Sequence, residues 1–233
     1  MKAIVSLSGG MDSTAALARL LDEGKKVECF GFEYGSKHNP YEQAAARAVA
    51  DFYKISYTLI DLSSIAVHLQ SNLLKTGGAI PEGHYNDKSM SLTVVPGRNI
   101  IFLSILAGIA WSRGASEIGI GIHQGDHAIY PDCRQSFFQA MDRAIQEGTD
   151  NRVSIIAPFL DTDKSGIVKW GSGHGVPFHL TRTCYKDQPV ACGKCGSCQE
   201  RLEAFERNNH EDPIRYENRP GQVEGIGGVK PLF

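Results

Sequence analysis

Ser8-Gly9-Gly10-Met11-Asp12-Ser13 follows the apolar run Ala3-Ile4-Val5 and precedes Thr14-Ala15-Ala16-Leu17-Ala18-Arg19-Leu20-Leu21, which has helical patterning. A strand that turns through paired glycines into a helix start exposes backbone N–H groups at the positive end of a dipole, and such a turn binds phosphate. Glycine lets phosphate oxygens approach closely and tolerates the positive φ of tight turns. Ser8 and Ser13 add hydroxyl donors, and Asp12 either caps the helix or holds a metal ion bridging phosphates. The loop has neither the lysine of G-x-x-x-x-G-K-[ST] nor the pattern G-x-G-x-x-G, which disfavours both of those nucleotide-binding families. The competing reading is a plain turn, with Asp12 or Ser13 as N-cap and no ligand.

The rest of the chain frames that loop. With 233 residues it can bury a sizeable core and fits one α/β domain, or one domain with an appendage. Lys and Arg number 24 against 26 Asp and Glu, without a basic block, so direct binding to long nucleic acid lacks its electrostatic footprint. The longest apolar stretch, residues 100–111, is too short to span a bilayer. The composition reads as a soluble cytoplasmic protein with no membrane partner.

Short apolar segments rich in β-branched residues at 2–7, 27–34, 56–60, 117–122 and 153–157 predict strands. Helical patterns at 13–23, 41–53, 99–112 and 135–147 alternate with them, and a short one follows at 165–171. This alternation predicts an α/β fold, doubly wound around a mainly parallel sheet covered on both faces. Two stretches depart from it. Residues 75–97 are rich in Gly, Pro, Ser and Asn and too long for an ordinary connection, which favours a functional or mobile loop. Residues 171–233 hold four of the six cysteines and a Pro- and Gly-rich tail. The expected division is 1–182 for the sheet domain and 183–233 for a C-terminal segment.

Cys184, Cys192, Cys195 and Cys198 contain two overlapping C-x-x-C steps. Four thiolates are the donor count of a closed tetrahedral zinc site, with Zn–S distances of about 2.3 Å. Such a site keeps no position for substrate, so the ion's work is structural. An iron–sulfur cluster or redox thiols are the alternatives, and disulfides are the weaker reading for a cytoplasmic chain. Residues 200–208, with Leu202 and Phe205 at helical spacing, predict a helix launched from the knot.

The string Ser8 to Ser13 resembles the pyrophosphate loop of the N-type ATP pyrophosphatases. Tyr34-Gly35-Ser36-Lys37-His38, Val95-Pro96-Gly97-Arg98-Asn99, Tyr130-Pro131-Asp132-Cys133-Arg134, Asp163-Lys164 and Thr183-Cys184-Tyr185 follow it in order, ending in the terminal cysteines. Together they resemble the 7-cyano-7-deazaguanine synthase family over positions 8 to 198. The resemblance implies an adenine nucleotide alpha hydrolase-like fold and a ligase converting 7-carboxy-7-deazaguanine and ammonia to the nitrile. It implies ATP as co-substrate, Mg²⁺, a structural zinc and a homodimer. Leu7, Ser8, Gly9, Gly10, Met11, Asp12, Ser13 and Thr14 would hold the nucleotide. Asp12, Arg98, Asp126 and Lys164 would be catalytic, and His38, Arg98, Asn99, Asp126 and Asp132 would face the substrate. The chain departs from the family pattern at Met11, Ser36-Lys37, around Asp126 in residues 125–129, and at Arg182.

Simpler readings stand beside each block. Pro96-Gly97 forms a β-turn with Asn99 as helix N-cap, Asp132 caps the next helix, His38 is a solvated loop residue, and Lys164 only opens a helix. His123 and His127 are four apart, but the residues between them read as loop, so they are not assigned to a metal. Cys133 beside Arg134 could be the nucleophile of a tRNA sulfur transferase, the main alternative enzyme. Further alternatives are a variant stopping at the amide and a zinc-knotted binding module without catalysis.

Overall fold

The computed structural model describes residues 1–84 and 88–219. Five strands, β1 (Lys2–Ser6), β2 (Lys26–Glu33), β3 (Tyr57–Asp61), β4 (Glu117–Gly119) and β5 (Ser154–Ile156), form one sheet in the order β3-β2-β1-β4-β5. Every pairing is parallel. Among the described residues seven α-helices accompany it: α1 (Met11–Asp22), α2 (Asn39–Phe52), α3 (Ser63–Ala66), α4 (Arg98–Ser112), α5 (Gln135–Gly148), α6 (Lys164–Gly173) and α7 (Gly196–Glu206).

Alternation along the central strand builds the two faces. Ile4 of β1 packs with Phe30, Leu103, Leu106 and Ile145 beneath α4 and α5. Its neighbours Ala3 and Val5 point the other way, onto Leu17 and Leu20 of α1 and Ala46 and Val49 of α2. All three β1 residues are fully buried, as a central parallel strand requires. The strand order reverses between β1 and β4, and the chain leaves a crevice at their carboxyl ends.

The expected alternation stands, but several boundaries shift for visible reasons. The fourth strand ends at Gly119, three residues short of the patterned segment. At Gly121 the α1 N-terminus comes so near that a Cβ would lie 2.5 Å from the Ser13 amide. α1 starts at Met11 with Gly10 as N-cap and no side-chain cap, so Asp12 and Ser13 lie inside the first turn and neither caps it. α4 likewise starts after Gly97, which takes φ +65°, and Asn99 sits in its first turn instead of capping it. α7 begins at Gly196, nearer the cysteines than residue 200.

α7 packs against α6 and α1 through Phe205, Ala204, Val168, Ile167 and Ala15. Beneath α7, Arg201 is fully buried and bonds Asp212 twice, at 2.7 and 2.9 Å, and the Thr181 and Thr183 hydroxyls and Phe178 carbonyl. No helix among the described residues is long and apolar enough to cross a membrane. The Pro- and Gly-rich tail beyond Arg219 lies outside the described residues.

Candidate active site

The crevice is a cleft whose floor is the ends of β1, β2 and the 120–122 segment, with about 1220 Å³ of empty space including its open mouth. Leu7, Ser8, Gly10, Met11, Asp12 and Ser13 line one end. The Ser8 hydroxyl lies 3.1 Å from that of Ser13 and accepts the Gly10 N–H at 3.2 Å, which holds the turn in shape. Gly9 does not line the cleft. It takes φ +83°, and a Cβ there would meet the Glu42 carbonyl at 2.4 Å, so the close approach of α2 requires this glycine. Thr14 is fully buried, away from the lining.

Asp12 projects from the first turn of α1 into a charged cluster. Its Oδ2 lies 3.4 Å from Lys164 Nζ and 3.8 Å from His123 Nε2, and its Oδ1 has no hydrogen-bond partner among the described residues. Lys164 opens α6 after the Asp163 N-cap and is 5 % exposed. Its ammonium bonds Glu200 of α7 at 2.6 Å. Burial works against that charge, yet the surrounding carboxylates of Asp12, Glu200 and Asp126 hold Lys164 above the ordinary lysine range. Burial also pushes the Glu200 carboxyl up, against the pull of Lys164.

His123 is fully buried, and its Nδ1 accepts the Gly125 N–H at 3.1 Å. A neutral imidazole so placed carries its proton on Nε2, 3.4 Å from Asp126 Oδ2. Sequence reasoning set His123 aside and did not see Glu200. His123 carried a usable signal, since it follows β4 as Asp126 does. Glu200 carried none, because only the packing of α7 on α6 brings it to Lys164.

The opposite end is assembled from distant segments. Arg98, in the first turn of α4, donates to the Tyr34 hydroxyl at 3.3 Å beyond the end of β2. Burial opposes its charge, while Tyr34, Asp132 and Cys133 around it keep its pKa well above the usual arginine value. His38 is buried, with Nε2 3.2 Å from Glu42 and its ring 5.4 Å from that of Tyr185. It is not the solvated loop residue of the simpler reading. Tyr130 and Tyr185 complete this end, and Asp126 stands between the two ends, near both Lys164 and Tyr185.

Two expected substrate residues have structural partners instead. The Asp132 carboxylate accepts the Asn99 backbone N–H at 2.9 Å, capping α4 from another segment, and Asp132 does not line the cleft. Asn99 lines it, but its amide donates to the Asp132 carbonyl at 2.8 Å and to Cys133 Sγ at 3.4 Å. Cys133 is buried, and burial pushes its thiol well above the ordinary range. A thiol so held is a poor nucleophile. Lys37 turns away to the carbonyls of Asn72, Gly77 and Gly78, tying down the 72–78 loop. Arg182 gives its guanidinium to the carbonyls of Cys184, Lys186, Gln188 and Pro189. Its backbone N–H bonds the Gly9 carbonyl at 2.8 Å, joining the cysteine segment to the glycine loop.

Cys184, Cys192, Cys195 and Cys198 are all buried, with sulfur atoms within 4.8 Å of one another. A tetrahedral site with Zn–S of about 2.3 Å needs sulfurs roughly 3.8 Å apart, and Cys192 and Cys198 lie at 3.9 Å. Backbone N–H groups of Lys194 and Cys195 point at Cys192 Sγ, at 3.4 and 3.2 Å, which favours the thiolate. The cluster is able to hold a metal ion. Gly193 takes φ +73°, and a Cβ there would overlap the Asn218 carbonyl, so only glycine lets the chain close on the knot.

Comparison with known proteins adds a lineage to this geometry. A family model described as queuosine biosynthesis protein QueC matches residues 2–209. The chain is 45% identical over 216 residues to 7-cyano-7-deazaguanine synthase 1 of Colwellia psychrerythraea, covering 93% of this chain and 99% of that one. It is 43% identical to the 7-cyano-7-deazaguanine synthase of Caldicellulosiruptor saccharolyticus, covering 93% and 96%. Among solved structures, a predicted subunit of a tRNA methyltransferase from Methanocaldococcus jannaschii is similar at a TM-score of 0.49 and 15% identity, covering 95% of this chain and 94% of that one.

Proposed function

The chain belongs to the QueC family of queuosine biosynthesis proteins, and from that premise we propose that it is a carbon–nitrogen ligase converting 7-carboxy-7-deazaguanine, ammonia and ATP to 7-cyano-7-deazaguanine. A carboxylate is a poor electrophile because its leaving group would be oxide. Attack of a carboxylate oxygen on the α-phosphorus of ATP expels pyrophosphate and leaves an acyl adenylate. Ammonia then displaces AMP to give the amide. A second adenylation, on the amide oxygen, lets that oxygen leave with AMP as two N–H protons are lost and the nitrile forms.

In this reading the amides and hydroxyls of Leu7, Ser8, Gly10, Met11, Asp12 and Ser13, the part of the expected 7–14 run that lines the cleft, bind the β- and γ-phosphates as the leaving group. Lys164, held charged by Asp12 and Glu200, stabilises negative charge at the same end. Mg²⁺ would supply further electrostatic stabilisation of the pyrophosphate, and Asp12 Oδ1 is the atom placed to hold it. Arg98 takes the substrate carboxylate, with His38 and Asp126 nearby. Asn99 is retained only as a wall, and Asp132 as the support of Arg98's helix.

Zinc in the four-cysteine knot would supply folding free energy and no chemistry. Residues 1–182 act as the adenylating unit and 183–233 as the zinc-bearing segment. The enzyme works in the cytoplasm and as a homodimer, and for the dimer alone the support is the exposure of Ile100 and Trp111 along α4. The sulfur-transfer alternative is not favoured, because Cys133 is buried and its thiol is held protonated.

The observation that carries the proposal is the meeting of the glycine loop and Arg98 in one cleft with Lys164 and Asp12. The test is incubation with ATP, Mg²⁺, ammonium and 7-carboxy-7-deazaguanine, followed by mass spectrometry. The nitrile and AMP are expected. Neither product would overturn the assignment, and amide without nitrile would identify the variant that stops halfway.

A further inference from the structure

A chain of three hydroxyls runs from the protein interior to the heterocycle end of the cleft. Thr93 is fully buried, and its hydroxyl lies 2.7 Å from the Met90 carbonyl. A carbonyl only accepts, so the single hydroxyl proton of Thr93 is committed there. The Tyr130 hydroxyl lies 2.9 Å from Thr93 Oγ1. That bond forms only if Tyr130 donates, which commits its proton in turn. Tyr185 Oη lies 3.2 Å from Tyr130 Oη, and the same count makes Tyr185 the donor. Each hydroxyl's direction is thus set by the one behind it, and the Tyr185 oxygen keeps only lone pairs for a further partner.

Tyr185 lines the cleft together with His38 and Arg98. Arg98 is donor-only and suits the carboxylate of the substrate. The 7-deazaguanine ring carries N–H donors at N1, at the exocyclic amine and at N9, and these call for an acceptor. We infer that the Tyr185 hydroxyl is a specificity-determining acceptor for one heterocyclic N–H of the substrate, its polarity set by Thr93 through Tyr130. The inference rests on the proposed reaction and deepens it by naming what reads the ring.

The experiment measures KM and kcat for wild type, Tyr185→Phe, Thr93→Val and Thr93→Ser on 7-carboxy-7-deazaguanine. Three analogues are run beside it: the 2-deamino, N1-methyl and N9-methyl forms. Tyr185→Phe should raise the heterocycle KM about 3- to 10-fold while the KM for ATP stays unchanged. One analogue should be penalised in wild type and lose most of that penalty, to within about twofold, in Tyr185→Phe. Thr93→Val, which removes the terminal acceptor without touching the cleft, should weaken the same discrimination, and Thr93→Ser should restore it. Melting temperatures separate this from misfolding.

Wild-type turnover with no analogue coupled to Tyr185 would overturn the inference alone. Coupling to Tyr185 that Thr93→Val leaves intact would overturn the relay. Absence of any wild-type product would overturn the proposed reaction, and the inference with it.

Discussion

The two ends of the cleft are built in opposite ways. The glycine-loop end is built on a run of consecutive residues whose turn is held by bonds within the run, such as Ser8 to Ser13 and Gly10 to Ser8, with Lys164 and Glu200 added beside it from α6 and α7. The Arg98 end, proposed to take the heterocycle, joins Arg98 to Tyr34, 64 positions away, and Tyr185 to Tyr130, 55 positions away. A local site needs only a strand, a turn and a helix start. An assembled site needs every packing contact that brings its parts together, so damage far from the cleft should reach it first.

The largest expected effect is on the assembled end. Cys195→Ser should abolish the zinc binding proposed for the four-cysteine knot, and metal analysis would show it. Structural zinc is worth on the order of 10 kcal/mol in small zinc-binding peptides, so the melting temperature should fall steeply. The heterocycle KM should rise ahead of the KM for ATP, because Thr183 and Tyr185 flank Cys184. Unchanged metal content and stability would defeat the metal assignment.

Next comes Asp212→Ala, which leaves Arg201 buried without its carboxylate. Breaking such a pair costs about 3–5 kcal/mol, readable from the denaturant midpoint. A loss under about 1 kcal/mol would mean that the Arg201 network does not hold α7 in place.

Asp12→Ala tests the local end. AMP formation should drop by about 10²–10³-fold, with the melting temperature little changed, because Lys164 keeps Glu200 at 2.6 Å. AMP release at the wild-type rate would reduce Asp12 to an ordinary first-turn residue. The smallest effect belongs to Cys133→Ala, whose kcat should stay within about threefold of wild type, under about 1 kcal/mol. A loss of several orders of magnitude would revive thiol chemistry.

Legibility in the sequence followed the same division. The glycine loop could be read because strand, turn and helix start are neighbours in the chain. The cysteines could be read because spacing and donor count are local facts. Asp132, expected to face the substrate or else to cap the next helix, caps α4 across 33 positions. Asn99, expected at the substrate or else as the cap of α4, lines the cleft with its amide held by Asp132. Glu200 could not be foreseen, since its contact with Lys164 exists only where two helices pack.

The sequence by itself determined the alternating parallel fold, the phosphate turn and the four-thiol knot, because each depends on residues a few positions apart and on backbone chemistry that any such string shares. Tertiary structure alone decided which carboxylates hold Lys164, which residue supports Arg98's helix, and which hydroxyl Tyr185 meets. Those are properties of side-chain partners, and a partner is chosen when distant elements close around a common core and each buried donor or acceptor must find its mate.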